Sequence, residues 1–600
     1  MNSPETVYHN RISEFTKQHN SVKKRINHIS NIRFIVFGLM VVVDIFLYRS
    51  GHHAAMAVCS VAAITIFIAL VFYHESLYKL LNHISNLLQI NGRCLDRIHD
   101  KWNNHDDTGS VFINKEHAFT SDLDIFGQNS VFQWINAANT FAGRAAIARV
   151  FSNKPDEVKV IQERQVALAE LAPMVDFRQN LQAYSKNECM DRNDESILSW
   201  LESPDSLFKN NALTVMLYIF PWVINVTALS AFIFKIPGIG SLLYLISFCL
   251  SLVWRAGIMK IMNAFEKRSD ILNTYSRVIE LIQSEKFQSQ LLHKLKEEFT
   301  GEHKESAFIV LKRLASLVAA SHVRYSGVGA FVFNLLFTWD IQCVLRMERW
   351  KKHHGTSVRK WIAAIGEFEM LSTLSQIHFE NADWCFPLVS KDTGEIIAKN
   401  IGHPLLWSKK RVCNDFQISG GVAVSVITGS NMSGKTTFLR TIGVNMVLAF
   451  AGAPVCAKTF CCYPVQLYTS MRIHDDLRSN VSSFYAELIR VKKIVDAIDS
   501  GEKVFFLLDE LFRGTNSRDR HDGAIAVLRV LSSGGACGLI STHDLELANL
   551  EKIDSEKFRN YHFSERITET DITFDYQLQD GPSNSRNALA MIRLAGIPIV

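Results

Sequence analysis

The residues with the most definite chemical purpose are Gly429-Ser-Asn-Met-Ser-Gly434-Lys435-Thr436, a GxxxxGK[ST] run that follows an apolar stretch over 422–428 and opens a helical pattern over 437–450. Strand, loop and helix in that order build a phosphate cradle, because glycines let backbone N–H groups turn inward and the helix presents its positive end to anionic oxygens. Gly429, Ser430, Asn431, Met432, Ser433, Gly434 and Thr437 form that cradle, Lys435 reaches the terminal phosphates, and the Thr436 hydroxyl ligates Mg²⁺. A second apolar run, 504–508, ends in Asp509-Glu510. Asp509 would hold the metal directly or through water, and Glu510 would polarise the attacking water. A third run, 538–541, leads into Thr542-His543-Asp544, where His543 is either an ordinary loop histidine or a sensor of the γ-phosphate.

These groups need a scaffold, and the chain is long enough for several. Six hundred residues at roughly 150 per domain give a prior of about four domains. The balance of 64 Lys+Arg against 59 Asp+Glu leaves +5, too little to demand a polyanionic partner from bulk charge. Eleven cysteines, scattered and without a CxxC pair, indicate neither a disulfide framework nor a zinc ribbon.

Four dense apolar stretches, 34–48, 54–73, 213–234 and 239–253, read as two membrane hairpins. Asp44 makes the first span the costliest to insert. Lys23, Lys24, Arg25 and Arg33 before the first hairpin, and Arg255, Lys260, Lys267 and Arg268 after the second, place both termini and the soluble segments in the cytoplasm. The expected layout is therefore an N-terminal region 1–80 with the first hairpin, a linker 81–118, a helical core 119–211, the second hairpin 212–258, more helical core 259–385 and an α/β domain 386–600.

From about residue 402 to 598 the chain resembles the ATPase domain of the MutS DNA mismatch-repair proteins, a branch of the ABC superfamily. The likeness rests on 428–440 around the phosphate loop, Ser482-Ser-Phe-Tyr-Ala-Glu-Leu488 as the signature segment, Asp509-Glu-Leu-Phe-Arg-Gly-Thr515, Ser541-Thr-His543, Gly581-Pro-Ser583 and Leu594-Ala-Gly-Ile-Pro598. Less specifically, 122–127, 140–144, 161–165 and 365–371 resemble the family's helical core and lever. The resemblance implies a multidomain α and α/β fold with a P-loop ATPase and a helical lever block. It further implies ATP and Mg²⁺ as cofactors, Asn431 and Lys435 on phosphates, Thr436 and Asp509 on the metal, Glu510 on water and His543 on the γ-phosphate. Ser482 would cap the nucleotide of a second subunit, giving a homodimer with composite sites; the alternative, read from the residues alone, is that Ser482 and Ser483 are a helix cap.

DNA binding is implied only by the same likeness. An anchored integral protein of a bacterial inner membrane is the expected setting. Four departures accompany the resemblance: the first hairpin stands where mismatch-reading and connector domains would be, and no DNA-clamp segment is evident. Arg411 replaces an adenine-stacking aromatic, and Phe512 with about three extra residues near Arg518 to Arg520 alters the loop after Glu510. With two residues after Pro598, the expectation is that the family's dimerisation tail is missing. The alternative reading is an ATP-driven membrane mechanochemical or scaffolding protein that does not bind DNA.

Overall fold

The computed structural model describes residues 3–186, 195–204, 206–208, 210–236, 238–265, 269–300, 305–391, 394–419, 421–430, 432–471, 483–513, 516–567 and 572–583. Its N-terminal part is an antiparallel pair of rods, α1 (Pro4–Arg49) and α2 (His53–Ile98), each 46 residues long. Ser3 caps α1 by accepting from the Thr6 N–H at 3.2 Å, and Gly51, at φ +77°, makes the reversal between the rods. The tip is apolar and exposed, with Phe34 80% and Phe72 67% accessible. Within it the Ser60 hydroxyl donates to Asp44 across the pair at 2.9 Å, so the one acid of the tip has a partner.

Residues 81–118 are not the linker expected from the sequence, because α2 runs unbroken to Ile98. Leu77, Ile84, Leu87, Ile90 and Cys94 recur at helical spacing and are buried against α1 and the helical core, a periodicity hidden by the polar residues between them. Two 3₁₀ turns, Trp102–Asn104 and Ser110–Phe112, complete the segment.

The helical block follows as α3 (Val131–Ile135), α4 (Phe141–Ser152), α5 (Val158–Leu171), α6 (Val175–Ser185) and α7 (Glu195–Glu202). It continues with α8 (Asn211–Ile233), α9 (Ile239–Val253), α10 (Arg255–Ala264), α11 (Ser269–Ser284), α12 (Gln290–Glu297), α13 (Ala307–Ser321), α14 (Gly327–Phe337) and the 42-residue α15 (Trp339–Glu380). Helix α15 is the spine. It crosses α4 closely because Gly366 and Gly143 carry no side chain at the contact: a Cβ on Gly366 would meet the Ala142 backbone at 2.7 Å, and one on Gly143 would strike Glu369. Glu369, buried at the crossing, accepts from the Thr140 hydroxyl and from the Asn139 and Thr140 N–H groups; burial raises its pKa despite these donors.

Among the described residues three helices, α1, α2 and α8, are long and apolar enough to cross a membrane. Two bent pairs pass the same test together: α9 with α10, bent by 59°, and α14 with α15, bent by 74°. The segment at α14 was not foreseen, since 11 residues are too few to span. It lies against the second apolar hairpin, where the Asn225 amide donates to Pro221 and Leu336 carbonyls, both at 2.7 Å, and accepts from the Tyr244 hydroxyl at 3.1 Å. Pro221 has no N–H to offer Leu217, and the Gln342 amide of α15 satisfies that carbonyl at 2.8 Å.

The C-terminal domain has two sheets. The smaller, in order β1-β5-β2-β3, comprises β1 (Leu388–Val389), β2 (Ile396–Ile401), β3 (Asn414–Ile418) and β5 (Thr459–Cys462). The larger runs β10-β9-β4-β8-β7-β6, built from β4 (Val424–Thr428), β6 (Gln466–Ser470), β7 (Val504–Asp509), β8 (Cys537–Thr542), β9 (Phe558–Ile567) and β10 (Ile572–Asp580). All its neighbouring pairs are parallel except β9 with β10. Strands β4, β7 and β8 are buried throughout or nearly so, as a doubly covered parallel sheet requires. Helices α16 (Lys435–Phe450), α17 (Ser483–Asp499), α18 (Ser517–Ser533) and α19 (Leu550–Ile553) cover it.

Candidate nucleotide site

Parallel register aligns the carboxyl ends of the central strands, with Thr428 opposite Thr542 and Asp509 opposite Ser541. Crevices at such strand ends are where open α/β sheets bind ligands. The loop after β4 turns on Gly429 (φ +150°) and Gly434 (φ +103°), and α16 starts at Lys435. A Cβ on Gly429 would meet the Phe563 carbonyl and Ser433 hydroxyl oxygens at 2.9 Å, so the close backbone approach requires glycine there.

Lys435 is 5% exposed and donates to the Gly429 carbonyl at 3.0 Å and the Ser430 carbonyl at 2.7 Å, curling back over its own loop. Burial pulls its pKa down, and Glu510, Asp509 and Glu565 oppose that shift. The Thr436 hydroxyl donates to Asp509 Oδ2 at 2.7 Å, and the Ser541 hydroxyl bonds the other carboxylate oxygen. Two hydroxyls and a carboxylate form a hard oxygen donor set suited to Mg²⁺.

Glu510 sits at φ +48°, in the left-handed region that few side chains adopt, and its Oε1 lies 2.7 Å from His543 Nε2. The hydrogen bond from His543, followed by the charges of His543, Arg513 and Lys435, holds the Glu510 carboxyl below its ordinary pKa. Lys435 Nζ is 3.4 Å from the same His543 nitrogen, so five of the sequence-proposed residues (Lys435, Thr436, Asp509, Glu510 and His543) meet at one sheet edge. Ser430 bonds Glu565 at 2.8 Å, Ser433 bonds the Ser430 carbonyl at 2.9 Å, and Met432 is 79% exposed at the loop's tip. Asn431, Ser482 and the stretch 594–598 lie outside the described residues.

A cavity of ≈440 Å³ opens from the loop past Thr436 and Thr437, within the size range of small-molecule pockets. Its far wall is Ile401, His403, Leu406, Val412, Phe563 and Tyr576. His403 Nδ1 accepts from the Leu405 N–H at 3.2 Å, and burial with nearby Arg440 and Arg411 lowers its pKa to about 4, so the ring is neutral at pH 7.

Arg411 does not take the place of a base-stacking side chain. It turns inward, donating to the Leu406 carbonyl at 2.6 Å and resting 5.4 Å from the Trp384 ring centroid, because a guanidinium finds carbonyl acceptors there. His403 and Tyr576 face the cavity instead. Neither carried a local motif, and Tyr576 reaches the cavity from the bulge between the two paired stretches of β10, where its backbone is left-handed (φ +55°).

Phe512, read from the sequence as an alteration, is a structural plug. It packs edge-on to Phe484 of α17 with centroids 5.4 Å apart, and its N–H donates to buried Glu487. Burial raises the Glu487 pKa while the N–H groups of Phe512 and Arg513 oppose it. The loop carrying Glu510 is thereby tied to the helix that begins at the signature segment.

The site is also tied to the helical block. Asp122 accepts from the Thr469 hydroxyl at 2.8 Å, the Met471 N–H at 3.0 Å and Arg490 at 3.0 Å, and Asp124 accepts from Arg440 of α16 at 2.9 Å.

Comparison with known proteins agrees with this geometry. The family described as MutS domain V matches residues 425–600. The DNA mismatch repair protein MutS of Natronomonas pharaonis is 30% identical over 246 residues, 40% of this chain and 28% of that protein. The MutS of Aquifex pyrophilus is 31% identical over 238 residues, 39% of this chain and 27% of its own length. The chain thus matches less than a third of the length of these relatives.

Proposed function

Since this chain belongs to the MutS family through its C-terminal domain, we propose that it is a membrane-anchored ATPase whose nucleotide domain moves a helical lever block. The observation that carries the reading is the convergence of Lys435, Thr436, Asp509, Glu510 and His543 at the carboxyl edge of β4, β7 and β8. ATP with Mg²⁺, when bound, would supply an activated phosphoryl group. Lys435 and the N–H groups of the loop 429–434 would hold its phosphates, and Thr436 and Asp509 the metal. Neutral His403 and Tyr576 would flank the base.

Glu510 is ionised and therefore able to accept a proton from water; in this structure it is latched to His543. Releasing that latch would free the carboxylate to aim water and the imidazole to meet the γ-phosphate. Ser482, from a second copy, would close the site, making the active unit a homodimer with composite sites. The apolar tip of α1 and α2, together with α8, α9 and α14, would lie in the membrane, with the remaining domains cytoplasmic.

The test is nucleotide binding and hydrolysis by the purified full-length protein. Lys435→Ala should abolish tight ATP binding, and Glu510→Gln should retain binding while turnover falls by at least ~100-fold. Hydrolysis unchanged in either variant refutes the assignment.

DNA binding follows from the relatives, which are mismatch-repair proteins. A second reading, membrane mechanochemistry without DNA, is favoured by α15, which joins the nucleotide-domain side of the lever directly to apolar α14. Binding of duplex DNA that weakens steeply with salt would support the first, and its absence with ATPase activity intact would support the second.

A further inference from the structure

Helices α13 and α15 run side by side, joined where the Trp350 indole donates to the Val310 carbonyl at 2.9 Å and the Trp339 indole to the Ala320 carbonyl at 2.9 Å. Between them lies a groove of ≈980 Å³ that Tyr218 of α8 also lines. Its walls are divided by chemistry. Phe308, Ile309 and Leu317 form an apolar lining, and Lys312, Arg313, Arg346 and Arg349 stand over it, against the single acid Glu305. Glu305 is already engaged by Arg313 at 3.0 Å. Lys312, Arg346 and Arg349 make no side-chain ion pair or hydrogen bond among the described residues, which leaves three cations facing one apolar trough.

The position of the groove says what kind of anion it meets. Helix α13 leads through the short turn His322–Tyr325 into apolar α14, and α15 begins right after α14. Arg346 is seven residues, about 10 Å, along α15 from Trp339. On α8, Met216 and Ile219 near Tyr218 are apolar and each 52% accessible, while Leu217 is buried. The cations therefore sit about one headgroup layer below the apolar helices, on the side where basic residues accumulate.

We infer that this groove binds the headgroup of an anionic phospholipid, with Lys312, Arg346 and Arg349 on the phosphate and the apolar lining under the proximal part of the lipid. The inference rests on the membrane reading above and adds to it a lipid preference located on the lever itself. Lipid occupancy would bear on α13 and α15, the helices that carry motion between membrane and nucleotide domain.

The test uses full-length protein in detergent micelles doped with phosphatidylglycerol or phosphatidylcholine, with bound lipid counted by native mass spectrometry. Phosphatidylglycerol should be preferred. At about fivefold per cation removed, Arg346→Glu with Arg349→Glu should lose at least ~25-fold of that preference, and Arg346→Lys with Arg349→Lys should keep most of it. Lys399→Glu, a charge reversal on β2, should change nothing. An unchanged preference in the double glutamate variant overturns the site. So does loss of duplex DNA binding in that variant with phosphatidylglycerol retention intact, which would make the groove a nucleic-acid surface. Carbonate extraction of the cell membranes before solubilisation separates the two readings: a protein released by carbonate defeats the membrane reading, and a resistant protein without lipid preference defeats only the groove.

Discussion

Among the contacts that dock the first hairpin onto the helical block is one buried ion pair on the spine, and breaking it should loosen the rods. Arg97, near the end of α2, donates from Nε to Glu380 Oε2 and from Nη2 to Oε1, both at 3.0 Å, with the two side chains 5% and 6% exposed. At that separation an effective dielectric of 20 gives roughly 5 kcal/mol of attraction, and breaking buried pairs by removing one partner costs about 3–5 kcal/mol. Glu380 keeps the Tyr8 hydroxyl at 3.1 Å and the Gln376 amide at 2.8 Å, so Arg97→Ala belongs near ~3 kcal/mol.

Hydrogen exchange over residues 77–98 of the detergent-solubilised protein reads the effect locally. Opening should become ~100-fold more frequent, while exchange in β4 and β7 stays unchanged. Arg97→Met combined with Glu380→Leu should return to within ~1 kcal/mol of wild type, since no charge is then left buried. Less than a fivefold change in Arg97→Ala, or a double variant as labile as the single one, refutes the claim that the pair holds the hairpin down.

His105 makes a pH prediction. Its residue is 7% exposed, neither ring nitrogen has a hydrogen-bond partner, and Asp96 is 3.9 Å away; burial, then Arg93 and Arg97, lowers its pKa to about 4. The unfolded chain takes up a proton near pH 6.5 that the folded chain refuses until about pH 4, so this residue's contribution to stability falls as pH drops through that window, by ~1.4 kcal/mol per unit and ~2 kcal/mol by pH 5. Denaturation of His105→Leu across pH 5–7.5 should show a slope shallower by that amount, and an identical slope contradicts the buried neutral imidazole. At the helix crossing, Gly366→Val should destabilise by ~1–3 kcal/mol because its Cβ meets the Ala142 backbone at 2.7 Å, whereas Gly92→Ala on α2, with nothing within 4 Å, should be neutral or gain up to ~1 kcal/mol in the same denaturation assay.

What the residues announced on their own was the chemistry that is local in sequence. The cradle 429–436 and the acids 509–510 are contiguous with the strands that place them, so spacing alone identified them. The apolar tips were equally legible, because these segments are dense in apolar residues all round. Whatever depends on distant segments meeting was not. Tyr576 reaches the cavity from a bulge in β10, Arg411 turns away from it toward carbonyls, and Glu487 finds Phe512 across a 25-residue gap. Residues 81–98 read as linker because their apolar stripe is narrow, and α14 escaped because a helix too short to span is judged only by its neighbours.

Those long-range contacts join the candidate nucleotide site to the apolar helices in one molecule. Arg440, six residues after the cradle's Gly434, is held by Asp124, and Asp122 two residues earlier grips both β6 and α17. The same segment continues to Asn139 and Thr140, which close on Glu369 of α15. From Glu369 the spine runs one way to Glu380, where Arg97 and Tyr8 hold the first hairpin, and the other way to Thr338, whose left-handed backbone (φ +45°) turns the chain into α14. Each joint is a buried or part-buried polar contact or a close glycine crossing rather than a loose apolar face, and such joints transmit displacement because sliding the buried ones would strand a charge or a donor in the interior. The path becomes a coupling only if something at its nucleotide end has two states, and the Glu510–His543 contact supplies the candidate: closed here at 2.7 Å, it competes for the same imidazole that a bound γ-phosphate would claim.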